Sequence, residues 1–188
     1  MDITDSLYTG QLTRLAPIDH EKDPAIIARW TLDPLWRAML RGAAQPFSPE
    51  AAKKLLEKAE KQMEEAKNVF HFTVRVLTDD RLVGLAKLSQ IDYHNGIGAA
   101  EVGIGERADR RHGYGFDALK LLLNFALGEL NLHRISVFSS ADNIAFLRLA
   151  EKAGFEQEVC RREAAYHDGR YWDVFHMYLL RATWEAQA

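Results

Sequence analysis

The hexapeptide Arg110-Arg111-His112-Gly113-Tyr114-Gly115 combines residue types suited to gripping a phosphate. Glycines let a backbone approach a ligand closely and take positive φ. A helix starting at the glycines would aim its unsatisfied N–H groups, and the positive end of its dipole, at the same point. Arg110 and Arg111 would add cationic donors, which makes a pyrophosphate the natural guest. The plainer alternative is a glycine-rich turn with solvated arginines. Two other phosphate motifs fail on context. Gly113-x-Gly115-x-x-Ala118 has dinucleotide-binding spacing, but eight residues, Gly105 to His112, separate it from the preceding strand. The acid that should follow about 20 positions on, at a second strand's end, is first met after a strand at Asp142, 29 positions on. A P-loop is excluded, because no Gly-Lys-Ser/Thr follows the glycines.

Other chemistries find little support. The seven histidines form no His-Glu-x-x-His pattern, and the single cysteine, Cys160, cannot build a thiolate cluster, so no metal is expected. Cys160 reads as a small buried side chain rather than a nucleophile. One cysteine also fits a reducing compartment, the cytoplasm. A net charge of −3 and a pI near 6.2 argue against nucleic acid as the main partner. The most apolar helical run, Ala118 to Leu130, is interrupted by Lys120, Asn124 and Glu129 and is too short to span a bilayer, so no membrane partner is expected. The N-terminus lacks the layout of a signal peptide.

The elements that must position the hexapeptide follow from periodicity. Leu7 to Leu15 reads as a strand. Asp23-Pro24 opens a helix, with Asp as a cap and Pro in the first turn. Arg29 to Arg41 reads as helical with a break at Pro34. Ser48-Pro49-Glu50 opens a longer helix to about Lys67, with Leu55, Leu56, Ala59 and Met63 on one face. Phe70, Phe72, Val74 and Val76 alternate with polar residues, as a strand does; Leu82–Leu88 and Ala99–Ile104 continue a meander. A polar loop, Glu106 to His112, leads into a helix with Phe116, Leu119, Leu123, Ala126, Leu127 and Leu130 at three- and four-residue spacing. His133 to Ser139 is the next strand, and Asp142-Asn143 caps a helix that Gly154 ends. A hairpin turns on Asp168-Gly169, and its second strand puts Phe175, Met177 and Leu179 on one face. The order predicts a mixed α/β sheet rather than an alternating parallel one, in a single domain over 1–188. The aromatics Trp30, Trp36 and Phe47 either line a pocket or fill the core of the N-terminal part.

Arg-x-x-Gly-x-Gly between strand and helix resembles the pyrophosphate loop of the GNAT superfamily of acyl-CoA-dependent N-acyltransferases. Asn131-Leu-His-Arg134, Asn143, Glu151-Lys-Ala-Gly-Phe155, the Asp-Gly hairpin and Asp173 resemble its RimJ/RimL-type branch. The resemblance implies a splayed, mostly antiparallel sheet flanked by helices. The strands at Ala99–Ile104 and Arg134–Ser139 would part like a V and admit pantetheine. Backbone groups of Val102, Gly103 and Ile104 would pair with it. Amides from Arg111 through Gly113, Tyr114 and Gly115 to Phe116 would hold the pyrophosphate, Asn143 would contact pantetheine, and Lys152 would approach the phosphates. For Asn143 a simple helix cap, and for Lys152 a solvated lysine, are the alternatives. The implied co-substrate is acetyl-CoA and the implied partner an amine-bearing acceptor, a protein N-terminus or a small molecule. Residues 1–69 would recognise that acceptor and 70–180 hold the coenzyme. A homodimer is a further possibility, since dimers are common in the family.

Acyl transfer to an amine needs a group to take the amine's proton. Glu101, two residues before Gly103, matches a position where some members place an acid; a solvent-facing glutamate is the alternative. Glu106, Asp109 and Asp92 rank below it. Many members place a tyrosine acid where this chain has Ala150. A coenzyme-binding module without turnover is therefore the competing reading.

Overall fold

The computed structural model describes residues 7–33, 36 and 45–187. Seven strands form one sheet: β1 (Thr13–Ala16), β2 (Phe70–Val76), β3 (Leu82–Asp92), β4 (Ile97–Ile104), β5 (Arg134–Ser140), β6 (Glu156–His167) and β7 (Arg170–Leu180). They lie in the order β1-β2-β3-β4-β5-β7-β6, and every neighbouring pair is antiparallel except β4 with β5. The helices are α1 (Asp23–Trp30), α2 (Pro49–Ala66), α3 (Tyr114–Leu123), α4 (Ile144–Lys152) and α5 (Arg181–Glu185); α3 runs on into a π-helical turn, Asn124–Glu129.

The predicted mixed sheet and the order of its elements hold. The first strand is shorter than the apolar run suggested, because Gly10 turns the chain and its N–H bonds Thr13 O at 2.8 Å. Asp23 does not cap α1. It lies inside the first turn, fully buried, and its carboxylate accepts two bonds from Arg75 on β2, at 2.7 and 2.9 Å. A buried arginine–carboxylate pair of this kind ties a helix to a sheet, and removing one partner alone strands a charge. Ser48 does cap α2, accepting from Ala51 N–H at 3.2 Å. Of that helix's apolar face only Ala52 and Leu56 are buried, while Leu55 is exposed. The helical expectation past Asp33 falls on residues outside those described, apart from Trp36 and Gln45 onward.

Two cores lie on opposite faces. Ala100, Ile135, Val137, Met177 and Leu179 pack under α3 through Leu119, Leu122 and Ala126. Ile27, Trp30, Trp36 and Leu56 form the second, between α1, α2 and the other face. Trp30 and Trp36 meet edge to face, with centroids 4.9 Å apart. Gly105 is dictated by that packing: a Cβ there would lie 2.0 Å from the Trp30 ring. Cys160, expected inside, is exposed at the edge strand β6. Its thiol sits 3.6 Å from Asp173, and partial desolvation followed by that charge pushes it up from its ordinary value. Among the described residues no helix is long and apolar enough to cross a membrane.

Candidate active site

β4 and β5 are paired only at Ile97↔Arg134, Gly98↔Ile135 and Ala99↔Ser136. Beyond Ala99 they separate, while β3 follows β4 as far as Gly84↔Ile104 and β7 follows β5 to Val174↔Ser140. The strand edge from Ala100 to Ile104 therefore has no neighbour on the β5 side. A cleft of about 1650 Å³ passes through this gap and continues on both faces of the sheet.

On the α3 face the cleft is lined by Arg111, Gly113, Gly115 and Phe116 from the strand–helix junction, and by Asn143, Phe146, Leu149 and Lys152 from α4. Gly113 has φ 88° and Arg111 φ 67°, so consecutive turns of backbone curl their amides towards the helix start. Only the glycine takes its angle without strain. A Cβ on Gly115 would lie 3.3 Å from Leu149 and 3.5 Å from Ile104, close contacts that a larger residue would tighten. This cradle suits a diphosphate, and the unpaired strand edge suits an extended chain carrying amides.

Several expected site residues take other places. Arg110 is not a free cation: Nε donates to Ile104 O at 3.1 Å, and Nη2 to Gly105 O at 2.6 Å and to Asp33 at 2.8 Å. It clamps the end of β4 through Ile104 O, while Ile104 also lines the cleft. The Phe116 amide bonds Gly113 O at 3.1 Å, so only the ring of Phe116 faces the cleft, with Lys152 Nζ 4.3 Å above it. Tyr114 lies outside the cleft lining, packed on the core and stacked with His112. Asn143 does cap α4, its Oδ1 accepting from Phe146 N–H at 3.3 Å, which leaves its NH2 to donate into the cleft. Val102 and Gly103 line the gap.

The loop is fixed from behind. Asp117 on α3 accepts the N–H groups of Gln11, Leu12 and Thr13 at 3.1, 3.0 and 2.8 Å, and the Thr13 hydroxyl at 2.8 Å. Asp109 is buried against Arg81, with an oxygen 2.8 Å from Nη1; that bond holds the guanidinium above its usual value.

On the opposite face Glu101 lies in the cleft wall, partly exposed, with Lys87 Nζ 3.7 Å away. Strand alternation explains this: Ala100 and Val102 pack towards α3, so Glu101 turns the other way. The lower-ranked candidates Asp92, Asp109 and Glu106 are engaged elsewhere. Asp92 is held below its usual range by hydrogen bonds from Asn95 and His94, and Glu106 pairs with Arg29 at 3.6 Å. Trp36 and Phe47 line the cleft, and Trp36 is also core. Sequence reasoning missed His71, Lys87, Phe138, Ser140, Arg161 and His176, which share this face of the cleft. Their only signal is strand register, which no local pattern carries.

Comparison with known proteins agrees with this geometry. The acetyltransferase (GNAT) domain family matches residues 13–156, and the chain belongs to it. The probable N-acetyltransferase YjcK of Bacillus subtilis is 30% identical over 118 residues, 62% of this chain and 64% of that protein. Spermidine N(1)-acetyltransferase of Vibrio cholerae is 30% identical over 105 residues, 55% of this chain and 59% of its own length. The match thus spans about three-fifths of these relatives. The structure of RimL, a ribosomal L7/L12 α-N-protein acetyltransferase in complex with coenzyme A, shares the fold with a TM-score of 0.78 at 16% identity, covering 90% of this chain and 94% of that one.

Proposed function

We propose that this protein transfers an acetyl group from acetyl-CoA directly to a primary amine, a protein N-terminus or a small molecule. The observation that carries the reading is the parting of β4 from β5 after Ala99↔Ser136, beside a glycine cradle at a helix start. Gly113 and Gly115, with the amides between them, are suited to the diphosphate; the edge at Val102 and Gly103 and the Asn143 amide suit the pantetheine arm. Lys152 lines the same face of the cleft and suits a phosphate. Arg111 is exposed at the same junction and supplies the cation there.

Acetyl-CoA when bound supplies the acetyl group as a thioester. The chain's own residues orient it and manage one proton. The amine must be neutral to attack; an α-amino group, with pKa near 7.7–8.0, reaches that state at neutral pH far more readily than a lysine near 10.4. Glu101 takes the proton the amine sheds, directly or through one water, as nitrogen bonds to the acetyl carbon and the carbon–sulfur bond breaks. No acid is required for a thiol leaving group of pKa about 8.5. Residues 1–69 contribute the acceptor side, and the chain acts as one cytoplasmic domain, with a homodimer as the assembly to test.

A binding module without turnover is the second reading, favoured by Ala150, which is fully buried and has no hydroxyl to give. Thiol release and product mass with a panel of amines separate the two. The expected result is acetylated amine and stoichiometric thiol, with Glu101→Gln slowing turnover about 10²- to 10⁴-fold and leaving acetyl-CoA affinity intact. Tight binding with no product from any amine rejects the enzymatic reading.

A further inference from the structure

Strand register places two rows of side chains across the acceptor face of the cleft. On one arm His71 pairs with Lys87, and Lys87 with Glu101. On the other, Ser140 pairs with Val174, and Val174 with Arg161. Directly paired residues share a sheet face, so each row lies side by side. All six residues line the cleft.

Within these rows Lys87 has a carboxylate beside it and Arg161 has none. Lys87 and Glu101 lie 3.7 Å apart. Asp142 accepts the Ser140 hydroxyl at 2.5 Å and lies 3.4 Å from His167 Nε2. His71 is held neutral at physiological pH, its pKa lowered to about 4 by burial and then by Lys87. Arg161 has no carboxylate partner among the described residues. Its lining neighbours on β6 and β7 are Ala164, Ala165, Val174 and His176, none of which carries a negative charge.

A built feature presents this arginine. Pairing passes from Arg161↔Val174 to Ala165↔Trp172, so β6 advances four residues while β7 advances two. The extra residues form a bulge, with Glu163 at φ 47°. Asp173 pins it from the far face, its Oδ1 accepting the Glu163 N–H at 2.9 Å. The wall carrying Arg161, Ala164 and Ala165 is thereby set without any of these residues supplying the restraint.

We infer that Arg161 selects acceptors that carry an anionic group, a carboxylate or a phosphate, alongside the reacting amine. A guanidinium offers paired donors in a plane that matches either anion. The same charge repels a polycation entering this half of the cleft. The inference rests on the proposed acetyl transfer and narrows its substrate class: amines with an acid are favoured and polyamines are poor acceptors.

The test compares matched amines in acetyl-CoA-dependent thiol release. Glutamate is set against glutamine, phosphoethanolamine against ethanolamine, and a tetrapeptide beginning Ser-Glu against its Ser-Gln counterpart, with spermidine as the polycation. At least one anionic member is expected to exceed its neutral partner about tenfold or more in kcat/KM, and the pair that responds identifies carboxylate or phosphate. Arg161→Gln should bring that ratio close to one, and Arg161→Lys should restore part of it; acetyl-CoA affinity in both variants reports that they are folded. The inference is overturned if spermidine or the neutral amines match the anionic ones, or if the preference survives in Arg161→Gln. Thiol release with none of these amines, despite coenzyme binding, rejects the enzymatic reading and this inference with it.

Discussion

Arg110 and Arg111 are adjacent and chemically identical, yet they do different work. Arg110 is consumed by Ile104 O, Gly105 O and Asp33, while Arg111 stands exposed at φ 67° beside the glycines. Residue type located the anion cradle; it could not assign each guanidinium, because that depends on Asp33, 77 positions away. Glu101 faces away from α3 for a reason of its own. Alternation along β4 leaves it only two directions, and the apolar neighbours Ala100 and Val102 claim the core. His71 was not legible, since its environment comes from Lys87 across the sheet. It also gives a residue-scale prediction. With a folded pKa of about 4 against an ordinary 6.5, the unfolded chain binds the proton first as pH falls. Stability from this group is therefore complete above about pH 6.5 and is lost as pH drops towards 4. Between about pH 7 and pH 5, Tm of the parent protein should fall roughly 2–4 °C further than that of His71→Gln, a figure reduced for the ring's partial exposure. Parallel pH profiles for the two proteins would remove His71 as the cause.

Asp117 shows how one side chain couples elements. It closes four hydrogen bonds to the segment 11–13, and so fastens the turn before β1 to the helix whose start carries the glycines. Asp117→Ala should cost about 2 kcal/mol, since bonds to a charged acceptor are each worth about 1.5–3 kcal/mol at most and these are partly exposed. The check is a lower urea midpoint with an unchanged m-value, together with weaker acetyl-CoA binding as the loop loosens; a midpoint like that of the parent protein would show that the four bonds carry little. The elements themselves were readable in the sequence because periods of 2 and 3.6 separate strand from helix. Thus β2, α2, α3 and the Asp168-Gly169 hairpin sit where the pattern puts them. The first strand was overestimated because an apolar run does not announce the turn at Gly10, and Asp23 was misread as a cap because its partner, Arg75, lies on another element.

The molecule as a whole is a sheet opened along one seam. Three paired residues hold β4 to β5, and past them the cleft joins the face under α3 and α4, proposed for the coenzyme, to the face under α1 and α2, proposed for the acceptor. The glycine loop and the helix after it are readable in the sequence, because a candidate phosphate cradle is local in the chain. The opposite face is made by register: rows such as His71–Lys87–Glu101 and Ser140–Val174–Arg161 gather residues from strands far apart in the chain. No short motif can record them. The most direct test of this account is calorimetric titration of acetyl-CoA into the folded protein. The account predicts saturable binding at one site per chain, with a rise in Tm of roughly 5–10 °C once ligand exceeds the dissociation constant about 100-fold. Absence of heat and an unmoved Tm at millimolar ligand would contradict it.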